Sequence, residues 1–123
     1  MTIELPESIV EIDNLSVEYR IKCYSNGQKK STGSYVSYHP VLNHAGWYEN
    51  GNKRFKGFYS GPNERYGKWT FWHINGCLAC IGQYKEKSRE RPILWTFWDE
   101  AGNKMHEHKY SYIELSVELA IIG

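Results

Sequence analysis

One pattern recurs four times along the 123 residues of this chain: an aromatic residue, a glycine four positions on, a second glycine six after that, and a tyrosine two further. The copies run through Cys23, Gly27, Gly33 and Tyr35; through Trp47, Gly51, Gly57 and Tyr59; through Trp72, Gly76, Gly82 and Tyr84; and through Trp98, Gly102, His108 and Tyr110. Each begins 24 to 26 residues after the last. A period of that size marks a chain built by stacking one supersecondary unit, whose apolar face is covered only by its neighbours. At this length the chain makes one domain with a modest core and no separate catalytic domain.

Within the third copy, Trp69-Thr70-Phe71-Trp72 leads into Asn75-Gly76 and out through Leu78-Ala79-Cys80-Ile81. Asn-Gly between two strand-like runs signals a hairpin, because a type I′ turn needs positive φ at both central residues. Asn26-Gly27 and Asn50-Gly51 repeat the signal, and Ala101-Gly102 is a weaker version. The 10 Tyr, 5 Trp and 4 Phe suit strands, where flat rings pack across a pleated surface. The expectation is an all-β fold: an antiparallel meander of four repeated hairpins over residues 19–110, forming one twisted sheet. Residues 1–18 form an acidic N-terminal segment and strand, and residues 111–123 an apolar C-terminal strand.

A two-residue loop at Asn75-Gly76 sets Ile74 opposite Cys77, Trp72 opposite Ala79 and Trp69 opposite Gly82. A glycine facing an indole lets the ring lie over bare backbone. The same register sets Trp47 opposite Arg54 and Trp98 opposite Met105, a cation–π and a sulfur–aromatic pair worth about 0.5 to 1 kcal/mol each. Leu15, Val17, Tyr19, Ile21 and Cys23 alternate with polar residues as a strand does, and so do Ile113, Leu115, Val117, Leu119 and Ile121. An apolar terminal strand must be covered, since a bare edge invites pairing, and a homodimer through it is expected.

Charge is unevenly spread. Residues 1–19 hold five acids and no Lys or Arg, residues 20–91 hold 13 Lys and Arg against four acids, and residues 92–123 hold two Lys against five acids. No secretory signal is read at the N-terminus, no apolar run reaches the length of a membrane span, and three Cys without framework spacing favour free thiols. Cytoplasmic residence is the expectation.

Cys77-Leu78-Ala79-Cys80 has the spacing of a zinc or redox motif, but on a strand its two thiols point to opposite faces unless the strand bulges. Thiolate activation also wants a helix N-terminus, and none is expected there. His73, His106 and His108 could join a cysteine around zinc, which makes a zinc-dependent interaction module one rival reading. No nucleophile elbow, phosphate loop or paired-histidine metal motif stands in the chain, so no catalytic residue, no cofactor and no metal is assigned and no enzyme activity is expected.

The basic block is the better clue. Lys29, Lys30, Lys53, Arg54, Lys56 and Lys68 fall on hairpin arms, while Lys85, Lys87, Arg89 and Arg91 crowd one connection. Cations beside aromatic rings suit an acidic protein surface or a nucleic acid. In the two-residue-loop register Tyr24 with Lys29, and Tyr48 with Lys53, share one sheet face, the first choice for a contact surface. Tyr24, Lys29, Tyr48, Lys53, Arg54, Lys85, Lys87, Arg89 and Arg91 are the candidate partner-binding residues, since aromatics and Arg dominate binding energy at interfaces.

Trp47-Tyr48-Glu49-Asn50-Gly51 with Gly57-Phe58-Tyr59, and Gly67-Lys68-Trp69-Thr70-Phe71-Trp72 with Asn75-Gly76 and Gly82-Gln83-Tyr84, resemble the MORN-repeat variant of bacterial antitoxin-like proteins. The resemblance covers about residues 19–110 and departs from the pattern at Cys23, Ala101 and His108, all in end copies, which commonly cap an array. It implies an antiparallel sheet used to bind proteins and sometimes lipids, with no catalytic residues to carry over. The function expected on this basis is inhibition of a partner protein, a toxin or a nuclease-type effector. A mobile-element inhibitor of a defence nuclease, anti-CRISPR-like, falls within it. The alternative is direct binding of nucleic acid or anionic lipid.

Overall fold

A computed structural model of the chain describes the backbone of residues 2–12, 15–84 and 93–110 and, within these, the side chains of 16–84 and 95–105. Lys85, Lys87, Arg89 and Arg91, and the apolar segment 111–123 expected to carry a homodimer, lie outside the described residues. The described elements are β1 (Thr2–Ile12), β2 (Leu15–Tyr24), β3 (Lys29–Val36), β4 (His39–Trp47), β5 (Lys53–Gly61), β6 (Glu64–Trp72), β7 (Leu78–Tyr84), β8 (Ile93–Trp98) and β9 (Lys104–Tyr110). They form one antiparallel sheet in the order β1 to β9, so every strand pairs with its neighbours in the chain. The four repeat hairpins are β2–β3, β4–β5, β6–β7 and β8–β9, with β1 added at the edge.

The turns that close the repeats differ from the expected type I′. In each, the residue before the loop is bridged twice: His73 N–H donates to Cys77 O (2.8 Å) and Gly76 N–H donates to His73 O (3.0 Å), with the same pair of bonds at Tyr24, Tyr48 and Asp99. Only the glycine takes positive φ, +87°, +91°, +91° and +88° at Gly27, Gly51, Gly76 and Gly102. This is a three-residue loop, a type I turn followed by a left-handed glycine bulge. The both-positive geometry occurs instead at Ser37 (48°) and Tyr38 (67°), which join β3 to β4 without a glycine.

The longer loop carries side-chain bonds within itself and, in the first three repeats, to the neighbouring turn. Asn26, Asn50 and Asn75 each accept, through Oδ1, the amide two residues on, at 2.9 to 3.0 Å. Their Nδ2 groups donate onward to Glu49 O (3.1 Å), Ile74 O (2.9 Å) and Glu100 O (2.8 Å) of the next turn. A parallel row of bonds lies two residues earlier: Tyr24 and Tyr48 hydroxyls donate to Trp47 O (2.8 Å) and Trp72 O (2.7 Å), and His73 Nε2 donates to Trp98 O (2.8 Å). In the last copy Ala101 stands in the asparagine position, and Asp99 Oδ1 accepts the Ala101 and Asn103 amides instead. The loop at Ala101 thus closes through Asp99 rather than through an asparagine.

The arms follow the expected register, with Trp69 opposite Gly82, but a one-residue bulge intervenes just before every repeat turn. Trp72 therefore faces Leu78, Trp47 faces Lys53 and Trp98 faces Lys104, rather than Ala79, Arg54 and Met105. Such a bulge bends and twists its strand and re-aims side chains.

One face of the sheet carries the core. Trp69 and Trp95 are 1% and 0% exposed, packed with Phe71, Ala79, Cys80, Tyr84 and Phe97 and flanked by Phe55 and Tyr59. A Cβ at Gly57 would fall inside the Trp69 ring, and one at Gly82 inside the Trp95 ring. The ring over Gly82 thus comes from β8, and Trp69, its expected partner, covers Gly57. Buried His44 covers Gly33 in the same way. The repeat tyrosines fill the gaps edge-on, so that Tyr35, His44, Tyr59, Trp69, Tyr84 and Trp95 form a continuous ring ladder with centroids 5.0 to 6.1 Å apart.

Candidate partner-binding face

Side chains alternate across a strand, so the residues next to the half-buried Phe55 and the buried Phe71 and Phe97 point to the opposite, outer face. Near the Asn-Gly turns that face presents Lys29, Trp47, Lys53, Trp72, Leu78, Trp98 and Lys104 in order across the strands. The lysines are exposed and the indoles half-buried. Lys29 Nζ lies 5.9 Å from the Trp47 ring centroid and Lys53 Nζ 5.5 Å from that of Trp72. Each cation leans on the indole of the following hairpin; its own hairpin sets Cys23 opposite Lys29 and Trp47 opposite Lys53. Further along the same face stand Lys56, opposite Ala45 and Thr70, and Lys68, opposite Gln83. Among the described residues no carboxylate lies within ion-pair range of Lys29, Lys53, Lys56 or Lys68, the ion pair found being Arg20 with Glu18 at 2.9 Å.

The structure separates residues that the sequence grouped. The bulge sets Lys29 opposite Cys23, and Tyr24 meets Lys30 instead, at 5.7 Å. Tyr48 likewise meets Arg54, at 5.6 Å, while Lys53 belongs to the Trp47–Trp72 row. Tyr24–Lys29 and Tyr48–Lys53 are therefore not the shared-face pairs expected, because a one-residue shift in register moves a side chain across the sheet. Tyr24 and Tyr48 also commit their hydroxyls to the repeat stack. Burial raises the Tyr48 pKa, partly offset by Arg54. Trp47 and Trp72 are the rings that the lysines use, with Lys53 rather than Arg54 opposite Trp47.

The other candidate groups occupy different surroundings. Cys77 is half-buried and Cys80 buried, both free thiols, and burial pushes Cys80 up to about 12. The strand does bulge between them, at Ala79. Even so, no group of three or more potential metal ligands occurs among the described residues. His73 serves the turn stack, and His106 and His108 are on β9 with side chains outside the described set. Arg65 lies over Trp69 (4.9 Å) and donates to the Tyr84 hydroxyl (3.1 Å). Among the described residues no helix is long and apolar enough to cross a membrane.

The fold and this face together define a β-hairpin array that displays a cation–indole row. Comparison with protein-family models, curated proteins and solved structures found no match.

Proposed function

We propose that the chain is a non-enzymatic, cytoplasmic inhibitor module, antitoxin-like in the manner of the MORN-repeat variant, that neutralises a partner protein by covering it with the outer face. The observation that supports this is that Lys29 and Lys53 are held over half-buried indoles and backed by Lys56 and Lys68, with no carboxylate in ion-pair range of these four among the described residues. Ammonium groups held on rings and free of carboxylates keep their charge for an acidic partner surface, and the indoles supply the large apolar contact that anchors interfaces. The partner in this reading is a toxin or nuclease-type effector, and a homodimer through residues 111–123 is compatible with it.

The test is affinity capture from the native host with the wild-type chain and with the K29E/K53E double variant, both checked for unchanged circular dichroism and melting temperature. A partner held by the first and lost by the second supports the reading; a partner held equally by both sinks it. The second reading, direct nucleic-acid binding, draws on the same rings and cations, since bases stack on indoles and phosphates meet lysines. Its mark is retention in a gel shift that falls steeply with salt.

A further inference from the structure

Lys29 stands on β3 and Lys53 on β5, while Leu78 on β7 and Lys104 on β9 occupy the same place relative to their own turns. The repeated bulge aims all four at the outer face. Paired strands lie ~4.8 Å apart, so successive members of this set, two strands apart, recur every ~9.6 Å. A ligand that meets them all must repeat on one side at that pitch.

Few peptide conformations do so. A β-strand returns to the same side at ~6.7 Å and ~13.4 Å, neither of which fits. An α-helix returns after seven residues at ~10.5 Å and drifts out of register by ~2.7 Å over three steps. A polyproline II helix, with three residues per turn and ~3.1 Å rise, returns at ~9.3 Å and drifts by only ~0.9 Å over three steps. It is also the conformation that grooves walled by aromatic rings receive.

Resting on the protein-binding reading above, we infer that the row receives an acidic polyproline II segment of the partner, laid across the strands, with one contact at every third residue. Read from Lys29 to Lys104, the contacts are carboxylate, carboxylate, apolar side chain, carboxylate. The apolar contact falls on Leu78, which interrupts the cations between Trp72 and Trp98. The carboxylates at the first two places meet ammonium groups already held over Trp47 and Trp72.

The experiment uses the full chain and two labelled peptides of identical composition. One carries Glu, Glu, Leu and Glu at every third position with proline between; the other has its three Glu side by side. Equal net charge removes general attraction from the comparison. In fluorescence anisotropy the spaced peptide should bind at least tenfold more tightly, K53E should erase that advantage, and L78K should transfer it to a spaced peptide with Glu at the third place. Equal binding of the two peptides, or binding of neither, overturns the inference. Displacement of the spaced peptide by single-stranded DNA at equal concentration overturns it too, in favour of a nucleic-acid ligand. Peptide failure alongside partner capture that still depends on Lys29 and Lys53 would leave the protein-binding reading standing, whereas capture indifferent to both lysines removes that reading itself.

Discussion

Replacing Asn75 with alanine tests whether the turns hold the array together or merely close hairpins. The substitution removes two bonds, the Cys77 amide to Oδ1 at 2.9 Å and Nδ2 to Glu100 O at 2.8 Å. A net hydrogen bond contributes about 0.5–1.5 kcal/mol, and both of these are exposed, so the low end applies and the expected loss is about 1–2 kcal/mol. For a domain of this size that is a fall in melting temperature of roughly 3–10 °C. Asn75→Asp keeps the acceptor for the Cys77 amide and replaces the donor facing Glu100 O with a second acceptor, so it should destabilise by about as much as alanine. Ala101→Asn adds an asparagine to a loop whose amides Asp99 Oδ1 already accepts, and should change stability by less than about 0.5 kcal/mol. Urea denaturation followed by tryptophan fluorescence measures all three variants. If Asn75→Asp matched the wild type, the link between turns would carry no energy and the account of the asparagines would be wrong.

His44 makes stability depend on pH. Burial pushes its pKa below the ordinary 6.5, with the Ser34 and Val41 carbonyls opposing the shift and Lys22 adding to it. The unfolded chain therefore binds more protons in the window just below 6.5, so the stabilisation is complete above that pH and is lost as pH falls through the window. Denaturation midpoints from pH 7.5 to 5 should show this slope, and His44→Gln, which retains a donor toward Ser34 O, should flatten it. Gly57→Ala places a methyl inside the Trp69 ring and should destabilise by about 1–3 kcal/mol, with a shift in tryptophan emission, in the same denaturation assay.

The hairpin array was legible because its demands fall on residue types that advertise them. Gly27, Gly51, Gly76 and Gly102 must take positive φ, and Gly57 and Gly82 must leave room for an indole. Where those glycines recur, the strands between them follow. The asparagines were read as turn formers, yet Nδ2 bonding to the next turn leaves no local pattern in the sequence. The bulges at Lys30, Arg54 and Ala79 were invisible for a related reason: no glycine or proline marks them, and only the neighbouring strand reveals the extra residue. That one omission moved Lys29 and Lys53 away from Tyr24 and Tyr48 and onto Trp47 and Trp72. His44 could have been found. It follows Gly33 by 11 residues, as Trp69 follows Gly57 by 12 and Trp95 follows Gly82 by 13, and it covers its glycine as they do.

Among the described residues, the side-chain links between repeat turns run from an earlier hairpin to a later one. The array accordingly has a direction, and its two ends are not equivalent. A chain cut after the third hairpin leaves Asn75 and His73 facing water and strips the Trp95 ring from over Gly82, whereas one lacking the first hairpin leaves the Trp47 and Glu49 carbonyls facing water. Shortening from the tail should therefore do more harm than shortening from the head, and a spare middle hairpin could be spliced in without altering a single junction.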